Sequence, residues 1–177
     1  MIRSPLLSLA TLALVAACSG EVTAPRITTV PDARFANSPP KPGAHFQSAS
    51  ATLEGTTLVA SFREVGLGEG NVTETLSADA TAEYACQNNG GQFPNDPRKQ
   101  SIEGPLSATQ DFPVAKNGHV EGSLSISAPA STLDCPSGQH VVMVSVTYTN
   151  VTLTDVTNQT TVDIPGTFSA VFFTDVP

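Results

Sequence analysis

The stretch VTETLSADATAEYAC, residues 72–86, sets Leu76, Ala78, Ala80, Ala82, Tyr84 and Cys86 on one parity, with Thr73, Thr75, Ser77, Asp79, Thr81 and Glu83 on the other. Successive side chains of an extended chain point to opposite faces, so this alternation describes a half-buried strand that aims Cys86 at a core. The alanines leave one competing assignment, a short helix capped by Ser77.

Other segments repeat the two-residue period. TLVASFREV (residues 57–65) and the region from Ile102 to Phe112 read as strands, and VVMVSVTY (residues 141–148) puts Val142, Val144, Val146 and Tyr148 on one face. After Tyr148 the apolar parity shifts to Val151 and Leu153, which predicts a bulge near Asn150. Asn117-Gly118 suits a tight hairpin turn, because both central positions of such a turn need positive φ. TVDI and TFSAVFF follow, separated by a Pro165-Gly166 turn. Seven or eight short strands, no Trp and few helix-period runs predict an all-β, two-sheet sandwich of immunoglobulin-like type, with a small barrel as the alternative.

The first 17 residues have a different character. Arg3 precedes LLSLATLALVAA, residues 6–17, an apolar run that ends in small residues, as an export signal does. A spanning helix needs about 20 apolar residues, so this run is short for one. Val15-Ala16-Ala17-Cys18 resembles the bacterial lipobox. That resemblance implies cleavage before Cys18, a diacylglycerol on its thiol, and a mature chain anchored to a bacterial membrane. In many two-membrane bacteria a residue other than Asp in the next position, here Ser19, permits transfer to the outer membrane. The other reading is ordinary export with cleavage at the same bond, leaving a free thiol.

From Ser19 to about Ser50 no apolar period is sustained, and Pro25, Pro31, Pro39, Pro40 and Pro42 supply five of the fourteen prolines. Residues 18–50 are therefore expected to form a proline-rich tether, reaching about 30 Å as coil and about 100 Å when extended. RITTV, residues 26–30, is the segment that could instead pair as an edge strand. Residues 51–177 are then the folded domain, of ordinary single-domain size.

The chain has three cysteines, an odd count for an exported protein. Lipid on Cys18 accounts for one. For Cys86 and Cys135 an oxidising compartment makes a disulfide the natural pairing. A zinc site would need further ligands, and CPSGQH, with His140, is no recognised ligand spacing.

Signatures of chemistry are scarce. There is no G-x-S-x-G and no H-E-x-x-H, and His45, His119 and His140 are expected in the tether, at a hairpin tip and at a strand start. GLGEGN, residues 66–71, leads into a strand rather than a helix, so it reads as a hairpin connection and not as a phosphate cradle. Asp155, Asn158 and Asp163 offer oxygens to calcium, but their spacing matches no known calcium loop, and Asp and Asn are ordinary turn residues. No metal or cofactor is expected. The remaining candidate is the polar loop in CQNNGGQFPNDPRKQ, residues 86–100, with Asn88, Asn89, Phe93 and Arg98 as candidate binding residues.

Sequons occur at Asn71, Asn150 and Asn158; in a eukaryotic secreted protein they would be glycosylation candidates, and in a bacterial lipoprotein they are a by-product of Thr-rich strands. Removal of Arg3 leaves seven Lys and Arg against sixteen acids, a net charge of −9, which argues against nucleic acid as a partner.

FREVGLG, YACQNNGG, KNGHVEGSL and VTYTNVTLTDVTN, in that order over residues 62–158, are similar to segments of a group of uncharacterised secreted β proteins of bacteria. The resemblance implies an exported β domain with a cysteine pair, and it carries no catalytic residue. The functional expectation is a lipid-anchored extracytoplasmic binding module, not an enzyme, meeting an envelope or extracellular partner. The alternatives are a structural or accessory envelope protein and, third, a small hydrolase with an unrecognised site.

Overall fold

The computed structural model describes residues 43–177. The signal segment, Cys18, most of the expected tether and RITTV lie outside the described residues. Eight strands follow in order: β1 (His45–Glu54), β2 (Thr57–Val65), β3 (Asn71–Asn88), β4 (Lys99–Pro113), β5 (His119–Ser127), β6 (Gln139–Asp155), β7 (Thr160–Ile164) and β8 (Phe168–Val171). They form two antiparallel sheets packed face to face, a β-sandwich. One sheet has the order β1-β2-β5; the other runs β4-β3-β6-β7, with β8 also on β6.

The alternation over residues 72–86 extends through β3, the longest strand, which pairs with β4 on one edge and β6 on the other. Its inward parity buries Leu76, Ala78, Ala80 and Ala82. Short side chains there leave room for larger ones from the facing sheet and from β6 and β8, including Leu58, Leu124, Tyr148 and Phe168. Fully burying an aliphatic or aromatic side chain of this size contributes about 1.5–3 kcal/mol. Tyr148 is wholly buried, and its hydroxyl donates to the carbonyl of Thr56 at 2.8 Å, so its polar end is satisfied inside the core. The outward parity makes rows of hydroxyls across the sheet. Thr109, Thr75, Thr154 and Thr161 stand side by side on four neighbouring strands, with Thr75–Thr109 and Thr154–Thr161 contacts at 2.9 and 3.0 Å.

Several local expectations need correction. The domain starts at His45, not at residue 51, because Ala49, Ala51 and Leu53 give HFQSASATLE an inward parity that pairs with β2. His45 is therefore a strand residue, its Nδ1 lying 2.9 Å from the carbonyl of Gly43. The residues around Asn117-Gly118 do turn tightly, with the Gly118 amide on the Ala115 carbonyl at 2.8 Å. Only Gly118 has positive φ, however, and β4 and β5 belong to different sheets, so the turn is a corner and not a hairpin. Residues 66–70 likewise cross from β2 to β3 between sheets, held by the Leu67 amide on the Gly118 carbonyl at 3.0 Å.

The bulge near Asn150 is present. Thr149 faces Asp79 and Thr152 faces Ser77, leaving two residues opposite Ala78, with Asn150 at φ 51°. A second bulge interrupts β6 at Val144, between the Glu83–Ser145 and Tyr84–Met143 pairs. It ends the parity expected for Val142 and Val144, so Met143 packs on the core. Pro165-Gly166 separates β7 from β8, which lie end to end along one edge of β6.

Candidate functional site: a pinned loop and a buried carboxylate cluster

The two ends of the sandwich differ. One carries the loop after β3. The Cys86–Cys135 disulfide, with Cα atoms 5.6 Å apart, fastens the end of β3 to the segment before β6. Asn88 folds the loop on itself: its Oδ1 accepts the amides of Gly90 and Gln92 at 3.0 and 2.9 Å. Gln87 Nε2 donates to the Gly91 carbonyl at 3.0 Å, and Arg98 Nη1 to the Asp134 carbonyl at 3.1 Å. Phe93 packs edge-on against Phe173 with ring centroids 5.2 Å apart.

The four residues expected to bind thus divide. Asn88, Phe93 and Arg98 hold the loop's shape, and Asn89 is exposed with its amide on the Gly138 carbonyl at 3.3 Å. Gln92, Asn95 and Asp96 are also exposed beside it. The result is a small polar surface whose backbone is fixed by a disulfide and side-chain bonds.

The opposite end contains a feature that the sequence expectations missed. Glu64 on β2, Glu74 on β3 and Asp155 on β6 are each fully buried (0% exposed), and each has an oxygen within 4.8 Å of the others'. Each continues the inward parity of its strand. Glu64 follows Leu58, Ala60 and Phe62; Glu74 lies between Val72 and Leu76; Asp155 follows Val151 and Leu153. Glu74 and Asp155 are directly paired across the β3–β6 ladder.

Their partners are unequal. Asp155 Oδ1 accepts the amides of Thr157 and Asn158 at 2.7 and 3.0 Å, and its Oδ2 accepts Asn158 Nδ2 at 2.6 Å. Glu64 Oε1 accepts the Thr160 hydroxyl at 3.0 Å. Glu64 Oε2 and both Glu74 oxygens meet no N–H or hydroxyl donor. Burial pushes the Glu74 carboxyl up to about 9, helped by hydrogen bonding of its protonated form to Glu64 and by the neighbouring Glu64 and Asp155 charges, and burial also raises Glu64. Of Asp155, Asn158 and Asp163, only Asp155 belongs to this group. Asn158 acts on Asp155 through its amide, and Asp163 is exposed on β7.

The remaining polar features lie apart. A shallow depression of about 330 Å³ surrounds the Asn150 bulge, where Asn150 Nδ2 donates to Asp79 Oδ2 at 2.8 Å. His119 starts β5 at the carboxylate end and His140 lies near the start of β6 at the loop end, so the two do not share a site. The fold and this geometry define a disulfide-bonded β-sandwich with a pinned loop at one end and buried acids at the other. No family model, curated protein or solved structure matches the chain.

Proposed function

We propose that this protein is an extracytoplasmic lipoprotein, anchored to a bacterial membrane through Cys18, whose sandwich presents the loop end as a binding surface. The observation that carries the reading is the placement of the loop. The chain enters the domain at His45, which pairs with Val65 at the carboxylate end, while the disulfide-pinned loop lies beyond Asn88. At about 3.3 Å per residue, the eighteen residues of β3 separate these ends by about 55 Å. A membrane anchor on a tether upstream of His45 attaches the sandwich at the end away from the loop, which stays available to an envelope or extracellular partner. A backbone already fixed before contact loses little freedom on binding, which favours recognition by Asn89, Gln92 and Asn95. Pairing of Cys86 with Cys135 further supports an oxidising compartment and leaves Cys18 as the one cysteine outside the bridge.

The test uses cells that express the full chain. The wild type is expected in the membrane fraction with the mass of a diacylglycerol-modified Cys18, and Cys18→Ala in the soluble fraction. A photo-crosslinking residue at position 89 is expected to give one discrete adduct, and the same group on the outer face of β3 at Thr75 none. An unlipidated wild type removes the anchor; identical products at both positions remove the loop as the binding surface.

A further inference from the structure

We propose that Glu64, Glu74 and Asp155 form a calcium site that ties β2, β3 and β6 together at the end of the sandwich nearer the chain's point of entrance. Three acidic side chains from three strands converge on one volume closed to solvent. Proximity of acids is not the whole argument. Glu74 is wholly buried with both oxygens lacking an N–H or hydroxyl donor, and Glu64 Oε2 is in the same state. Buried polar atoms are normally satisfied; a proton shared between Glu74 and Glu64 would serve one pair of these oxygens, and a cation among the three carboxylates would serve all of them. No side chain supplies one: among the described residues the single ion pair is Arg63–Glu121, on the outward parity of β2 and β5.

The donor chemistry selects the ion. There is no imidazole or thiolate in the cluster, only carboxylate oxygens with the Thr160 hydroxyl beside them, a set for a hard cation. Calcium accepts six to eight oxygens at about 2.3–2.6 Å, so two of its ligands stand up to about 5 Å apart, in keeping with the observed spacing. Magnesium demands near-octahedral geometry near 2.1 Å and usually keeps several waters with only one or two carboxylates, so three convergent carboxylates suit calcium better. Two glutamates able to bind through both oxygens, together with Asp155, bring most of the ligands. The Asp155 bonds to Thr157 and Asn158 already hold that carboxylate in place. Extracellular calcium sites commonly have dissociation constants of about 0.1–1 mM, the range expected here.

The test is calcium titration of the purified full chain by calorimetry at neutral pH, after chelation, paired with thermal unfolding in chelator, 5 mM calcium or 5 mM magnesium (each about five to fifty times the expected dissociation constant). One calcium per chain is expected, with a rise in Tm that magnesium reproduces only weakly. Glu74→Gln and Glu64→Gln each reduce calcium affinity at least about tenfold, while the exposed Asp163→Asn leaves it unchanged. Absence of calcium binding by the wild type overturns the proposal and makes the cluster a proton-sharing one. Unaltered affinity in both glutamine variants, or equal response to magnesium, also overturns it. Should one glutamine variant fail to fold, the wild-type titration and the other variant still decide.

Discussion

A Cβ added at Gly122 would collide with Cε1 of Phe112 and stand 2.8 Å from its Cδ1, so the ring of Phe112 occupies the space that a side chain at 122 would need. Gly122 is the β5 partner of Phe62, and the Phe112 ring meets Phe62 edge-on at 5.2 Å, which in turn meets Phe46 at 6.1 Å. The glycine lets an aromatic residue from one sheet fill the inner face of the other. Gly122→Ala is therefore expected to destabilise the fold by about 1–3 kcal/mol, as overpacking of a core does. Equilibrium denaturation checks this, and Phe112→Leu in the same chain should recover part of the loss. A neutral Gly122→Ala would mean that the Phe112 ring moves aside freely.

The Cys86–Cys135 bridge closes a loop of 49 residues that includes all of β4 and β5. In the chain-entropy description its removal costs about 4 kcal/mol, by freeing the unfolded chain. The Cys86→Ser/Cys135→Ser chain should unfold at correspondingly lower denaturant, with faster hydrogen exchange in residues 88–98. Unchanged exchange there would show that the Asn88 and Arg98 bonds hold the loop unaided.

Glu74 makes stability depend on pH in an unusual direction. Its carboxyl is raised from 4.5 to about 9, and Glu64 also moves upward, so the folded state holds protons that the unfolded state has released. The groups facing Glu74 are Glu64 and Asp155, and neither brings positive charge. Their contribution is complete below about pH 4.5 and disappears as pH rises toward 9. In chelator, Tm should thus fall across that interval, and Glu74→Gln should flatten the fall. A wild-type profile that is flat or rises with pH would contradict this.

Burial pushes the Tyr148 phenol up to about 12, with the neighbouring Tyr84 contributing, and burial raises Tyr84 as well. The neutral phenol of Tyr148 is favoured in the folded state, so its contribution holds below pH 10 and is lost as pH rises toward 12. Tyrosinate absorbance should appear together with loss of near-ultraviolet dichroism. Tyr148→Phe keeps the ring but removes the donor to Thr56, with an expected cost of about 1 kcal/mol.

Alternation is legible in this sequence wherever a strand has one wet face and one dry face. Residues 72–86 mark β3, and the parity break after Tyr148 locates the Asn150 bulge. Long-range pairing leaves no such local trace. The turn at Gly118 looks like a hairpin because its local bonds are those of one; that its two strands belong to different sheets is decided by distant partners. The Val144 bulge is hidden because VVMV is apolar at every position, so no parity change shows.

The carboxylate cluster does leave a signal. Glu64, Glu74 and Asp155 each stand where an apolar side chain belongs in the alternation, an anomaly carried by each strand's own residues. Their meeting in one place is a property of the sheet pairing, which joins three separate strands and is written in none of them alone.

The pairing of β8 with β6 carries a consequence for biosynthesis. Phe168 and Ala170, both nearly inaccessible, complete the core beside Tyr148 and Val146, yet β8 is the last of the eight strands to be made. The sandwich cannot close around Tyr148 until translation has passed Phe168. A nascent chain that has not yet reached Phe168 therefore lacks the side chains that cover Tyr148 and Val146 on that edge.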